Sequence, residues 1–110
     1  MKEQVRECAE YFRARPGYHR ILSALRQKYE RFGRVAGTVQ LPDASDAECE
    51  AARLLFGRPF SAPVRFQASQ FEAALQQTRF QGVCLKEVLE AYFGAEIKTS
   101  REVQETQDRR

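Results

Sequence analysis

Nearly every run of apolar residues at helical spacing in this chain is halted by a glycine, and that punctuation restricts the fold to short amphipathic helices packed on one another. Val5, Cys8, Ala9 and Phe12 occupy the i, i+3, i+4, i+7 positions of one helical face before Pro16-Gly17 interrupts the pattern. Tyr18, Ile21, Leu22, Leu25, Tyr29 and Phe32 form a second stripe that stops at Gly33, a residue suited to a left-handed C-cap. Ala47, Ala51, Leu54 and Leu55 make a third stripe, ending near Gly57. Phe71, Ala74, Leu75 and Thr78 make a fourth, broken by Gly82. Leu85, Val88, Leu89, Tyr92 and Phe93 make a fifth, stopped at Gly94.

Start signals agree with these stops. Ser45-Asp46-Ala47-Glu48 and Ser69-Gln70-Phe71-Glu72 both have capping-box spacing, in which the two outer side chains satisfy backbone donors at a helix start. Thr99-Ser100-Arg101-Glu102 repeats the spacing with only eight residues left in the 110-residue sequence. Between the helices, Val35 to Leu41 places Val35, Val39 and Leu41 on one side at period two, closed by Pro42, and reads as a strand. Val64-Arg65-Phe66 supplies a second short strand after the Pro59 to Pro63 link, and Ile97 is placed to pair briefly in a sheet. The expected architecture is α+β: a mainly helical single domain with four or five helices and a small two- or three-stranded sheet. It comprises an N-terminal module over residues 1–98, followed at 99–110 by the start of a truncated helix or a disordered tail. The expected core contains Ile21, Leu22, Leu25, Val39, Leu55, Phe71, Leu75, Leu85 and Leu89.

A chain of this length supports one modest core rather than several domains around a large cleft. Its longest uncharged run, Val35 to Pro42, is far short of the roughly 20 apolar residues a membrane helix needs, so no membrane contact is expected. The first ten residues carry three acidic side chains and no apolar core segment, unlike a secretory signal or a mitochondrial presequence, which predicts a cytoplasmic protein. Cys8, Cys49 and Cys84 are odd in number and widely spaced, and are expected to be buried free thiols. The sole histidine, His19, has no ligand-patterned neighbour and is expected at the surface or a helix edge. Asp43, Asp46, Glu48 and Glu50 lack the glycine and spacing of a calcium loop and suit a helix N-terminus, so no metal or cofactor is expected. No nucleophile-plus-base constellation or phosphate-binding glycine loop is present, and no catalytic residue is assigned.

Charge is distributed unevenly. Residues 1–34 hold nine Lys/Arg and four Glu, whereas residues 35–100 hold six basic and eight acidic side chains. On a helical wheel Arg20, Gln27, Arg31 and Arg34 group opposite the Tyr18/Leu22/Leu25/Tyr29 stripe, presenting guanidinium groups along about 20 Å. Such spacing suits successive phosphates, and these four residues are the candidate nucleic-acid-binding set.

The ordered segments RFGRVAGTVQL (31–41), LLFGRPF (54–60) and TRFQGVCLKEVLEAYFG (78–94) resemble the N-terminal region of the JetD-like proteins of bacterial Wadjet-type plasmid-defence systems. The resemblance implies a following C-terminal toprim-like domain related to topoisomerase VI catalytic subunits, acting with an SMC-type ATPase complex against circular plasmid DNA. It implies that metal-dependent cleavage belongs to that domain, because these 110 residues contain no Asp-x-Asp pair and no room for a toprim fold. The front region is then a non-catalytic module, and no family binding residue maps onto a numbered position here.

Two functions compete. One is engagement of double-stranded DNA through phosphate contacts without sequence preference. The other is docking of an SMC-complex subunit, or of the C-terminal domain, through Tyr11, Phe12, Tyr18 or the Phe80 region. Steep salt dependence marks the first and salt tolerance the second.

Overall fold

The computed structural model describes residues 2–98; the capping-box spacing at Thr99 and the 99–110 segment lie outside the described residues. Five helices and two strands run in the order α1 (Lys2–Arg13), a 3-10 turn (Pro16–Tyr18), α2 (His19–Phe32), β1 (Thr38–Leu41), α3 (Asp46–Phe56), β2 (Val64–Gln67), α4 (Ala68–Leu75) and α5 (Leu85–Phe93). This is the expected α+β class. β1 and β2 pair antiparallel, with Val39 opposite Phe66 and Leu41 opposite Val64, all four buried. The alternate positions Gln40, Arg65 and Gln67 face solvent, as a sheet covered on one side requires.

One core joins every element. α1 lies along α5, the 3-10 turn packs on α3, and α2 contacts α5 and β1. All nine residues expected in the core are buried, and Phe12, Tyr18, Val88 and Ile97 join them. Arg13 fastens α1 to the end of α5, its Nη2 donating to the carbonyls of Ala91 and Tyr92 at 3.2 and 3.3 Å. Those carbonyls lack intrahelical partners, so a guanidinium there serves as a cap.

Several boundaries differ from the sequence expectation, each for a local reason. The first strand begins at Thr38 rather than Val35, because Gly37 turns the backbone at φ +79 and its carbonyl accepts the N–H of Ala68. The helix read from Ser69 starts at Ala68 as a direct continuation of β2. The cap contact there is the Gln67 N–H donating to Gln70 Oε1 at 3.0 Å, while Glu72 accepts the hydroxyl of Tyr29 instead. α4 ends at Leu75, seven residues before Gly82, because the Thr78 hydroxyl bonds back to the Leu75 carbonyl and closes a turn. Gln76 then spans the following loop, reaching the Val83 carbonyl and the Gly82 N–H. Ile97 is buried outside any strand, its N–H donating to Glu90 Oε2, so the sheet among the described residues has two strands.

The inner face of α3 is rotated by one residue from its expected register. Glu48, Ala51, Ala52 and Leu55 are buried, whereas Ala47 is exposed and Leu54 is 47% exposed. A buried glutamate stands where the apolar pattern reads Ala47, because an arginine from another helix neutralises it. The expectation of three buried thiols holds for Cys8 alone: Cys49 is half-buried and Cys84 exposed. Burial pushes the Cys8 thiol up to about 12, against the opposing pull of Arg79, and leaves it unreactive. His19 is exposed, as expected, with Nδ1 3.0 Å from the Tyr92 hydroxyl.

Candidate nucleic-acid interface

The four residues selected on the helical wheel separate into three situations. Gln27 and Arg31 lie exposed on α2 as expected. Arg20 shares their angular position but faces the start of α3 and is engaged there. Its Nε donates to Glu48 Oε2 at 2.6 Å, and its Nη2 to Glu48 Oε1 at 2.8 Å and Asp43 Oδ1 at 3.1 Å. Arg34 is exposed but is not on the helix at all: α2 ends at Phe32, and Gly33 turns the chain into the left-handed region at φ 73. The 100° spacing therefore does not reach Arg34, and the basic stripe is shorter than the wheel drew it.

Arg20 has a structural task instead. Glu48 closes a capping box with Ser45: it takes the Ser45 N–H on Oε1 at 2.9 Å and donates its own N–H to the Ser45 hydroxyl at 3.2 Å. The same carboxylate accepts the two-pronged Arg20 contact, which sets the arginine against the first turn of α3. Arg20 holds the Glu48 carboxyl below its ordinary range, with the Ser45 N–H helping and burial opposing; Arg20 lowers Asp43 in the same way. Glu50 pairs with Arg53 one turn on. Three of the four carboxylates of the acidic stretch are thus occupied in helix capping and ion pairs.

A pH dependence follows with a defined sign. With Glu48 lowered in the folded chain, the unfolded chain binds the extra proton, so the contribution is present above the ordinary value of 4.5 and fades as pH falls below it. The urea midpoint of the parent is expected to drop through that acid window, and that of Glu48→Gln, although lower at neutral pH, to drop less steeply. Parallel curves would show that the Arg20 contact does not tune this carboxyl.

Three cations without an ion pair among the described residues stand close in sequence at the end of α2; others, such as Arg58, Arg65 and Arg79, lie elsewhere on the chain. Lys28, Arg31 and Arg34 have no carboxylate partner among the described residues, whereas Arg26 pairs with Glu30. Phe32 sits among them 48% exposed, with Lys28 Nζ 5.9 Å and the Arg31 guanidinium 5.3 Å from its ring centre. Phe32 is the last member of the apolar stripe read for α2, yet it is exposed. In the last turn of α2, beyond Tyr29, no other aromatic ring meets it among the described residues.

The aromatic residues proposed for docking are mostly interior. Phe12 and Tyr18 have no exposed surface and Phe80 is 5% exposed. Sequence spacing places Phe12 and Tyr18 on apolar faces, and folding buries those faces between α1, the 3-10 turn and α4. Tyr18 is enclosed so fully that its hydroxyl finds no hydrogen-bond partner among the described residues, and burial pushes its phenol above the usual tyrosine range, with Tyr11 adding to the rise. Tyr11 alone stays half-buried, with the Arg15 guanidinium 4.0 Å and the Arg79 guanidinium 5.8 Å from its ring centre. Beside it opens a cleft of about 220 Å³ lined by Leu54, Leu55, Leu75, Thr78, Arg79 and Phe80. Sequence reasoning named the Phe80 region but missed Leu54 at this cleft, because it reads Leu54 only as part of the apolar stripe of α3.

Among the described residues, no helix is long and apolar enough to cross a membrane. Residues 35–110 match the family model described as "Protein of unknown function N-terminus (DUF3323)". No curated protein and no solved structure matches the chain.

Proposed function

Because the chain belongs to the DUF3323 N-terminal family, we propose that it is a front module within a larger bacterial protein, the non-catalytic DNA-engaging part of a JetD-like plasmid-defence nuclease subunit. Two of the three segments that carry that resemblance, LLFGRPF and TRFQGVCLKEVLEAYFG, lie inside the matched residues. The family's description as an N-terminus accords with a catalytic domain elsewhere in the protein. α1 and α2 precede the match but share its core, through α1 on α5 and the 3-10 turn on α3. The proposed partners are duplex DNA, the toprim-like domain and SMC-type subunits.

The observation that carries the DNA reading is the group Lys28, Arg31 and Arg34 at the end of α2, without a carboxylate partner among the described residues, with Gln27 exposed one turn before Arg31. Three cations are few, so binding is weak, about micromolar or poorer at physiological salt, and each phosphate contact adds about −0.9 to the slope of log affinity against log salt. Fluorescence anisotropy with a labelled duplex tests it. The parent is expected to bind with a salt slope of about −3, and Lys28→Glu/Arg31→Glu/Arg34→Glu to lose binding while its circular dichroism and urea midpoint stay close to the parent's. Arg20 is left intact in this variant because of its bond to Glu48. Equal binding by parent and variant, or salt-insensitive binding by the parent, sinks the DNA reading.

A second reading has one observation behind it, the cleft beside Leu54, whose exposed apolar side chain would be covered by a companion protein or by the C-terminal domain. Association that tolerates salt and is lost in Leu54→Glu would favour it.

A further inference from the structure

Three helices of this domain close on the same pair, Phe32-Gly33, Phe56-Gly57 and Phe93-Gly94, each glycine left-handed at φ 73, 72 and 69. The repeated geometry throws the last ring of each helix toward whatever lies beyond its end. At α3 that neighbourhood is aromatic: Phe56 meets Phe60, Phe66 and Phe71 at ring-centre distances of 5.4, 5.0 and 6.2 Å. At α5 it is aromatic again, with Phe93 against Tyr92 at 4.8 Å and His19 at 6.0 Å. At α2 no ring meets Phe32 among the described residues, and its neighbours are the cations Lys28 and Arg31, with exposed Arg34 two residues on.

Phe32 is a half-exposed phenyl ring with an ammonium and a guanidinium over it and, unlike Phe56 and Phe93, no neighbouring ring among the described residues. It is complementary to a ligand that has a flat π-face joined to an anion, and an unpaired nucleotide is such a ligand: its base stacks on the ring while its flanking phosphates meet the cations. The acidic side chains nearest along the fold are directed elsewhere. Glu30 pairs with Arg26, and Glu72 accepts the Tyr29 hydroxyl. A paired duplex offers phosphates to the same cations but keeps its base faces inside the stack, so the ring adds nothing there.

We propose that Phe32, with Lys28, Arg31 and Arg34, is a stacking site for an unpaired base, giving the module a preference for single-stranded or locally opened DNA over intact duplex. The proposal rests on the DNA reading above and sharpens it from phosphate contact to strand state.

The sequence contains no tryptophan, so Phe32→Trp installs a single fluorescent reporter at the site. Its emission is expected to be strongly quenched by an oligo-dT strand and little changed by a duplex of equal length. Phe32→Ala is expected to weaken oligo-dT binding about tenfold while altering duplex binding less than about twofold. Since Phe32 is half exposed, both variants are expected to keep the parent's urea midpoint. If Phe32→Ala binds oligo-dT as tightly as the parent, or loses strand and duplex equally, the stacking site is wrong while the salt-sensitive duplex binding still stands. If the parent binds neither nucleic acid, the DNA reading and the stacking site fall together, and a salt-tolerant protein complex lost in Phe32→Ala would reassign the ring to a protein interface.

Discussion

Replacing Phe12 by Ala is expected to cost about 3–5 kcal/mol, a large part of the roughly 5–15 kcal/mol that holds a small domain together. The ring is fully enclosed, 4.7 Å from Tyr18, 5.6 Å from Tyr11 and 6.1 Å from Phe71 between centres. It therefore joins α1 to the 3-10 turn and to α4, three elements with no strong local reason to meet. Truncation leaves a void whose walls are rigid rings and helix backbone, which collapse poorly, so the cavity cost adds to the lost transfer free energy. Leu22→Ala and Leu89→Ala, also fully buried, are expected to cost about 2–5 kcal/mol. Urea denaturation of the three variants measures this. A loss below about 1 kcal/mol for Phe12→Ala would place the ring at the surface and revive it as a docking residue.

The same residue shows how far the sequence could be read. Spacing identified Phe12 as one side of an amphipathic helix, and the elements it helps define stand almost where periodicity and glycine stops put them. The Ser45/Glu48 capping box forms with both of its bonds, because that signal is local: two residues three apart carry the geometry and its energy. Strand and helix ends that depend on distant groups were less legible. The start of α4 is fixed by continuity with β2 and by Tyr29 drawing Glu72 away from a cap at Ser69, and Tyr29 is 43 residues from Glu72 in sequence. The rotated face of α3 has the same origin. Nothing near Glu48 in sequence announces that Arg20, 28 residues away, will neutralise it and allow its burial.

That one ion pair also limited the reading of the site. A helical wheel records direction from the axis but not what stands opposite, so it grouped Arg20 with Arg31 although α3 occupies the space in front of Arg20. It also continued past Gly33 and carried Arg34 along a helix that had ended. Lys28 was omitted for the converse reason: its angle lies off the basic stripe, yet its ammonium lies 5.9 Å from the ring centre of Phe32, one turn on, and close to Gly37. The exposure of Phe32 was the least legible feature, since it ends the apolar stripe of α2 by spacing but stands half exposed in the last turn.

Gly17→Ala is the other substitution expected to have a large effect, and its cause is invisible in the sequence, where Pro16-Gly17 reads as no more than a helix break. Gly17 is buried in the 3-10 turn that packs on α3. A Cβ there would lie 2.1 Å from the Ala47 carbonyl oxygen, 2.6 Å from its carbon and 3.2 Å from the Ala51 Cβ. The obstructing atoms are backbone in the first turn of α3, beside the Ser45/Glu48 cap and the Arg20 contact, so no side chain can rotate aside. Relief requires the turn and the helix to separate, which opens the packing around Tyr18 as well, and the expected cost is at least about 3 kcal/mol. Gly57→Ala supplies the contrast. Gly57 has the left-handed backbone that favours glycine, but nothing lies within 4 Å of its Cβ position, so only conformational strain of about 1–2 kcal/mol is expected. Urea midpoints of the two variants order the effects. If Gly17→Ala costs no more than Gly57→Ala, then the turn can move off α3 without loss, and the close approach of the two backbones is not what holds the first third of the chain to the rest.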